Sequence, residues 1–261
     1  KEMLEEAKVD GVSDEDLKTK FGDPEAIAKQ IYKDNFETKF NEQVQSDLND
    51  LTFEDYDLFE TFPVVDALDQ VTISLISEDL IFVPYEGDSI QVFAKDLEKP
   101  ENYEITLSDN EFILKTKSRK GFGFKIFSGK TPDFALRVPK HIELKEFKVR
   151  SISGDIEMDH INTENFLYKT TSGDFEVTNL NAKELVKLET VSGDFQVKGL
   201  NAKSLEISLV SGDIELHKAR VEGNIIINSV SGDSEFKDIT CEQIAIRTVS
   251  GDFEGSEVYP D

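Results

Sequence analysis

The chain has 261 residues, and the 38% that are hydrophobic are enough for a folded core, which excludes wholesale disorder. Its 54 acidic residues outnumber 29 Lys and Arg, and the formal net charge of −25 argues against nucleic acid as a partner and favours cations or basic partners. A single cysteine excludes an internal disulfide framework and a cysteine-based zinc site. No apolar run reaches the roughly 18 residues that a membrane-spanning helix needs.

Residues 1–35 have the pattern of two short helices. Asp23 before Pro24 is a capping residue followed by the proline that is common at the first helical position. Ile27 and Ile31 lie one turn apart, so they give the second helix an apolar face. Because the sequence does not begin with methionine, we interpret it as a fragment and the helical segment as truncated.

Residues 36–63 are acidic and rich in phenylalanine without a clean hydrophobic period, so we expect a linker that can pack against the next domain. That domain is expected to be a β domain over 64–261. Its first part, 71–85, has the alternation of the repeat described below, with Glu78 in the place of a glycine. The stretch 86–146 breaks the period but is rich in strand formers, which predicts irregular hairpins or longer rungs.

A basic stretch without acidic residues covers 115–130, against the trend of the whole chain. Its cations make it a candidate interaction surface for an anionic envelope polymer or for lipid headgroups at a membrane surface, and a solvated loop is the simpler interpretation. The candidate residues are Lys115, Lys117, Arg119, Lys120, Lys125 and Lys130.

The tripeptide Ser-Gly-Asp occurs six times, and the differences between its glycine numbers are 19, 20, 19, 20 and 19. The glycines are Gly154, Gly173, Gly193, Gly212, Gly232 and Gly251. Apolar residues occupy the positions seven and five before the glycine and two and four after it, with few exceptions. This alternation predicts one strand on each side of the glycine.

Apolar residues also stand two positions before the glycine, and we expect them to point inward after a corner in the chain. They are Ile152, Val191, Val210, Val230 and Val249. One such repeat cannot bury its own apolar face, whereas stacked copies bury a continuous one. The sequence therefore predicts a mainly β fold, a β-solenoid that is expected to be right-handed, with two strands per rung and rungs about 4.8 Å apart.

Six aspartates follow the glycines and are expected to form one column. They are Asp155, Asp174, Asp194, Asp213, Asp233 and Asp252. The favoured interpretation is that each Asp and its neighbouring Ser hydrogen-bond corner backbone, as turn residues do. The alternative is a line of weak Ca²⁺ sites, because hard cations prefer several oxygen ligands. We expect no other metal or cofactor and no catalytic residues.

Two families resemble parts of the chain. The run 21–31 resembles the signature of the HAAS domain, a small helical module of Gram-positive bacteria. The Ser-Gly-Asp rungs, with the approaches 136–139 and 147–149, are similar to the bacterial "putative adhesin" β-repeat family of unknown function. The resemblance implies a β-helical protein without established catalytic residues, in a group often linked to cell-envelope stress.

The leading hypothesis is a non-catalytic, adhesin-like solenoid scaffold at the cell envelope, which presents a long face to a protein or to an envelope glycan. Peripheral contact with a membrane through the basic stretch is compatible with it. The first alternative is a cytoplasmic regulatory module in which the helical segment makes protein contacts. A weaker alternative is a glycan-active enzyme.

Overall fold

The computed structural model describes residues 55–64, 67–117 and 130–260, and the predicted helical segment 1–35 lies outside them. A single 3-10 turn within the described residues covers Pro100–Asn102. The strands are β1 Asp57–Pro63, β2 Gln70–Ser74, β3 Leu80–Tyr85, β4 Ser89–Lys95, β5 Tyr103–Ser108, β6 Glu111–Thr116, β7 Asp133–Pro139, β8 Leu144–Arg150, β9 Ile156–Lys169, β10 Phe175–Ser192, β11 Phe195–Ser211, β12 Ile214–Val221, β13 Asn224–Ser231, β14 Ser234–Cys241, β15 Gln243–Arg247 and β16 Phe253–Pro260.

Parallel pairing stacks these strands into two faces that meet at the glycine corner. Strands that precede the corner pair in the order β6, β2, β8, β9, β10, β11, β13 and β15. Strands that follow it pair in the order β7, β3, β9, β10, β11, β12, β14 and β16. Because β9, β10 and β11 each continue around a second corner, they contribute to both faces. The arrangement confirms the predicted β-solenoid, with about six turns.

Antiparallel strands interrupt the solenoid where the chain enters it. β4 pairs antiparallel with β7 and β1, and β5 pairs antiparallel with β6. The strands β6 and β7 lie beneath β2 and β3 although they follow them in sequence. Of the irregular hairpins or longer rungs predicted for 86–146, the structure shows one hairpin, β5–β6, and residues 118–129 lie outside the described part of the chain. The predicted linker needs one correction: its last part, Asp57–Pro63, is a strand, because its backbone pairs with β4.

The core follows the predicted alternation along both faces. The position seven before the glycine is occupied by fully buried residues such as Phe147, Phe166 and Leu205. Two positions after the glycine, Phe175 stacks on Tyr168 with ring centroids 4.1 Å apart. No helix in the described part of the chain is long and apolar enough to cross a bilayer.

The apolar position two before the glycine was predicted to point inward, and this prediction is wrong. Its residues are 47–81% exposed: Ile152, Val191, Val210, Val230 and Val249. The strand keeps its period of two as far as the position three before the glycine, where Thr170 and Ser229 are buried. The hydroxyl of Thr170 donates to the backbone oxygen of Ser172 over 2.8 Å, so a polar side chain fits inside the corner. The corner therefore follows the position three before the glycine, and the residue two before the glycine lies on its outer side.

The second corner follows the post-glycine strand, and one residue in each rung turns it with a left-handed backbone. These residues lie six positions after the glycine: His160, Asn179, Gly199, Lys218, Asp238 and Glu257. Beyond this corner the 20-residue rungs contain one residue more than the 19-residue rungs. In β10 the extra residue is a bulge between Ala182 and Leu185. The alternation between 19 and 20 residues per rung therefore arises from extra residues at one edge of the solenoid.

Candidate functional site: the asparagine groove

A groove of about 390 Å³ runs across five successive rungs beside the second corner. Its floor consists of short buried side chains, Thr163, Ala182 and Ala202, which occupy the same position in successive rungs. Longer side chains on both sides of them form the walls. The groove therefore exists because short side chains lie between long ones. We call it the asparagine groove; its lining residues are Glu143, Asn162, Thr163, Asn181, Ala182, Lys183, Asn201, Ala202, Lys203, Arg220 and Glu222.

Three asparagines stack along the groove in register. Asn181 pairs with Asn162 on one side and with Asn201 on the other. The Nδ2 of Asn181 donates to Oδ1 of Asn162 over 3.2 Å, and Nδ2 of Asn201 donates to Oδ1 of Asn181 over 2.8 Å. A primary amide has two N–H donors and two acceptor lone pairs. The middle amide of this ladder therefore keeps one donor and one acceptor for a ligand.

Charged pairs stand along the rim. The Nζ of Lys183 lies 2.6 Å from Oε1 of Glu143, and that of Lys203 lies 2.7 Å from Oε2 of Glu184. In each pair the hydrogen bond to the carboxylate raises the pKa of the lysine, so both lysines remain cationic at neutral pH. Arg220 continues the asparagine column in the next rung with a third cation.

The extra residue of the 20-residue rungs builds this rim. Lys183 and Glu184 occupy the bulge in one such rung, and Glu222 with Gly223 occupies the corresponding place in the next. Bulges re-aim side chains and often occur at functional edges of a sheet. The arrangement offers hydrogen-bond donors, acceptors and both charge signs on a rigid β scaffold. It suits recognition of a polar, hydroxyl-rich molecule that extends along the solenoid axis.

The six aspartates predicted as one column do form one, and the carboxylates of the first five bind the backbone of the following rung. One carboxylate oxygen accepts a hydrogen bond from the backbone N–H of the Asp in the following rung, as in Asp174 to Asp155 over 2.9 Å and Asp213 to Asp194 over 2.8 Å. Asp79 begins the ladder by accepting from Asp155. This confirms the hydrogen-bonding role predicted for the corner.

Within 55–64, 67–117 and 130–260, no group of three or more His, Cys, Asp or Glu side chains is placed so that it could hold a metal ion. The Ca²⁺ alternative for the aspartate column stays a prediction. Oδ1 of each Asp from Asp155 to Asp233 already accepts a backbone N–H, so a bound Ca²⁺ would share these carboxylates with the backbone ladder.

The basic stretch is described in part. Lys130 forms an ion pair of 3.1 Å with Asp96, and Lys117 donates to the backbone oxygen of Glu101 over 3.2 Å. Lys115 is exposed at the outer side of β6. Of the other predicted contact residues, Arg119, Lys120 and Lys125 lie outside the described residues. Their role at an anionic surface stays a prediction.

A buried carboxylate lies in the rung beneath the first of the six stacked glycines. Glu78 is 3% exposed and occupies the glycine place of the first rung. Its carboxylate accepts from the backbone N–H groups of Ile76 and Ser77 and from the hydroxyls of Tyr103 and Thr116, over 2.6 to 3.1 Å. Burial and the hydrogen bond to Glu78 raise the pKa of Tyr103 above its ordinary value. With these partners the group is structural.

Sequence reasoning did not find the asparagine groove, although two signals pointed to it. One is that asparagine recurs at the eighth position after the glycine in three consecutive rungs, at Asn162, Asn181 and Asn201. The other is the alternation of 19 and 20 residues, which shows where an extra residue has been inserted. Neither shows a groove until the second corner is located.

Three solved structures are similar to this chain. A "putative adhesin" from Bacteroides fragilis is 14% identical with a TM-score of 0.47, over 77% of this chain and 97% of that one. A "putative adhesin" from Parabacteroides distasonis is 14% identical with a TM-score of 0.44, over 77% and 98%. A "putative cell adhesion protein" from Clostridium sporogenes is 12% identical with a TM-score of 0.41, over 77% and 98%.

The search of curated proteins finds no match to the chain. Among family profiles, the one described as Toastrack DUF4097 matches residues 68–256, which is well over half of the chain. These residues span the solenoid from the entry to β2 as far as β16. The chain therefore belongs to the Toastrack DUF4097 family.

Proposed function

We propose that the chain is a non-catalytic scaffold that binds a cell-envelope glycan along the asparagine groove. The observation that carries the proposal is the ladder of Asn162, Asn181 and Asn201 in a groove of about 390 Å³. Sugar hydroxyls both donate and accept hydrogen bonds. They can therefore bind the one N–H donor and the one acceptor lone pair that the amide of Asn181 keeps free in the ladder. The repeat of the ladder along the solenoid axis suits a polymer, because successive units can meet successive rungs.

The rim supports a ligand with both neutral and charged groups. Lys183, Lys203 and Arg220 supply cations, and Glu143 and Glu222 supply anions, within the same lining. An envelope glycan that carries amide and carboxylate substituents would find partners for both. A rigid site on strands also loses little conformational entropy on binding, which favours a modest but specific affinity.

The test is calorimetric titration of the protein with soluble peptidoglycan fragments. We expect saturable binding, weakened about tenfold in the double variant Asn181→Ala/Asn201→Ala, since two neutral hydrogen bonds contribute about 0.5–1.5 kcal/mol each. Asn228→Ala is the matched control, because Asn228 is exposed on β13, outside the groove lining. An equal loss of affinity in the control, or full affinity in the double variant, would count against the groove.

The proposal includes a location at the envelope of a Gram-positive bacterium and a part in the response to envelope stress. It is supported by the HAAS-like run 21–31 and by the resemblance of the rungs to the adhesin-like repeats. An antibody against the native protein, used on fractionated cells, should detect it in the envelope fraction. Detection only in the cytosol would instead support the regulatory module.

A further inference from the structure

The solenoid exposes a column of aliphatic side chains beside the glycine corner. Val191, Val210, Val230 and Val249 occupy four consecutive rungs and are 47–81% exposed, and Ile152 continues the line beyond Thr171. We call these five aliphatic residues the valine stripe. Single exposed aliphatic residues are ordinary on protein surfaces, but a contiguous apolar line with a polar border is typical of an interaction site.

The spacing of the stripe limits the shape of its partner. Rungs about 4.8 Å apart place the four valines along a line about 14 Å long. An α-helix presents one apolar residue per turn of about 5.4 Å, so its apolar stripe covers the same four positions in about 16 Å. Same-face residues of an extended strand lie roughly 6.6 Å apart and would need about 20 Å. A helix therefore matches the valine stripe better than a strand does.

The charge beside the stripe limits the chemistry of the partner. The aspartate column lies three residues further along the same corner and runs through the same rungs. Asp194, Asp213 and Asp233 are exposed and flank Val191, Val210 and Val230. A partner that covers the valines thus meets a row of carboxylates on one side. The formal net charge of −25 strengthens attraction to a cationic partner and opposes a second copy or an anionic lipid surface.

We propose that the valine stripe and the aspartate column together dock a basic amphipathic helix of a partner protein. The apolar face of the helix packs on the valines, one residue per rung. Lysine or arginine residues along one flank of the helix lie against the aspartates. This surface is separate from the asparagine groove, so the scaffold can hold a protein at one corner and a glycan at the other.

The test uses a fluorescent synthetic helical peptide of about 14 residues, with leucine once per turn and lysine on one flank. Fluorescence anisotropy at an ionic strength of about 0.15 M measures its Kd for the full chain. We expect the triple variant Val191→Ser/Val210→Ser/Val230→Ser to raise Kd at least about tenfold. The control Leu58→Ser/Phe59→Ser removes two exposed apolar side chains of β1 and should leave Kd unchanged.

A second variant separates charge from folding. In Asp194→Asn/Asp213→Asn/Asp233→Asn the amide oxygen still accepts the backbone N–H of the next rung, so the ladder is kept while three charges are lost. We expect weaker peptide binding with a smaller dependence on salt, and unchanged thermal unfolding of the chain. A matched peptide with glutamate in place of lysine should not bind.

Three results would overturn the proposal. The first is unchanged peptide affinity in the valine variant. The second is equal affinity for a peptide that keeps its lysines but has serine in place of leucine, because charge alone would then explain binding. The third is a dimer in light scattering that the valine variant dissociates, or cosedimentation with phosphatidylcholine vesicles that the same variant abolishes. Either form of the third result would assign the stripe to a second copy or to lipid.

Discussion

Gly212→Ala is expected to lower the free energy of unfolding of the solenoid by about 4 kcal/mol, from backbone strain together with overpacking. Gly212 has a φ of +132°, which side-chain-bearing residues rarely adopt, and a Cβ there would lie 2.2 Å from the backbone oxygen of Gly193. The contact is with backbone in the rung beneath, so a side-chain rotation cannot relieve it. Urea unfolding followed by circular dichroism measures the loss.

Gly223→Ala is the matched control for this prediction. Gly223 lies beside the second corner, and a Cβ there would be 3.1 Å from the backbone oxygen of Lys203. A shift of a few tenths of an ångström relieves that contact, so we expect a change below about 1 kcal/mol. If both variants unfold at the urea concentration of the unmodified chain, close stacking at the Ser-Gly-Asp corner does not hold the rungs together.

Glu78→Ala is expected to lower the free energy of unfolding by about 4 kcal/mol, because it leaves two buried hydroxyls and two partly buried backbone N–H groups without their acceptor. The carboxylate accepts from the backbone N–H groups of Ile76 and Ser77 and from the hydroxyls of Tyr103 and Thr116. Its loss therefore loosens β2, β5 and β6 together at the end where the chain enters the solenoid. Thermal and urea unfolding of the variant provide the measurement.

Glu78→Gln tests the charge of the same group. The side chain keeps its shape, but its NH₂ replaces one acceptor, so we expect a loss of about 2 kcal/mol. Removing the negative charge should also lower the pKa of Tyr103 toward its ordinary value, which absorbance during an alkaline titration reports. Glu98→Ala, at an exposed position, should change stability by less than about 0.5 kcal/mol. Equal stability of the Glu98 and Glu78 variants would contradict a structural role for the buried carboxylate.

Most of the solenoid could be predicted because the hydrophobic pattern that specifies each strand lies within a few residues and recurs in every rung. Alternation at a period of two predicts a strand on each side of Gly173 or Gly193 without knowledge of any distant residue. The inward prediction for Val191 and Val210 is wrong because the alternation of the strand, and not the hydrophobicity of the single residue, decides which side chains point inward. The buried hydroxyls of Thr170 and Ser229 each donate to a carbonyl two residues away, so the inward position of these rungs did not need to be apolar.

The sites depend on contacts that cross rungs, and those were harder to predict. The repeated asparagines were visible in the sequence. The groove, however, also requires that Ala182 and Ala202 form its floor and that the bulge after Ala182 place Lys183 at its rim. The hydrogen-bond partners of Glu78 could not be predicted from the sequence for a different reason. Tyr103 comes close to it only because β6 returns beneath β2, against the order of the chain.

We propose that this Toastrack chain binds a glycan along the asparagine groove and does not cleave it. Titration with soluble peptidoglycan fragments, followed by chromatography of the recovered glycan, tests it most directly. The account predicts saturable heat that Asn181→Ala/Asn201→Ala diminishes, and glycan recovered at its original length. Shortened fragments that accumulate with time, or heat that is identical in the groove variant, would contradict it.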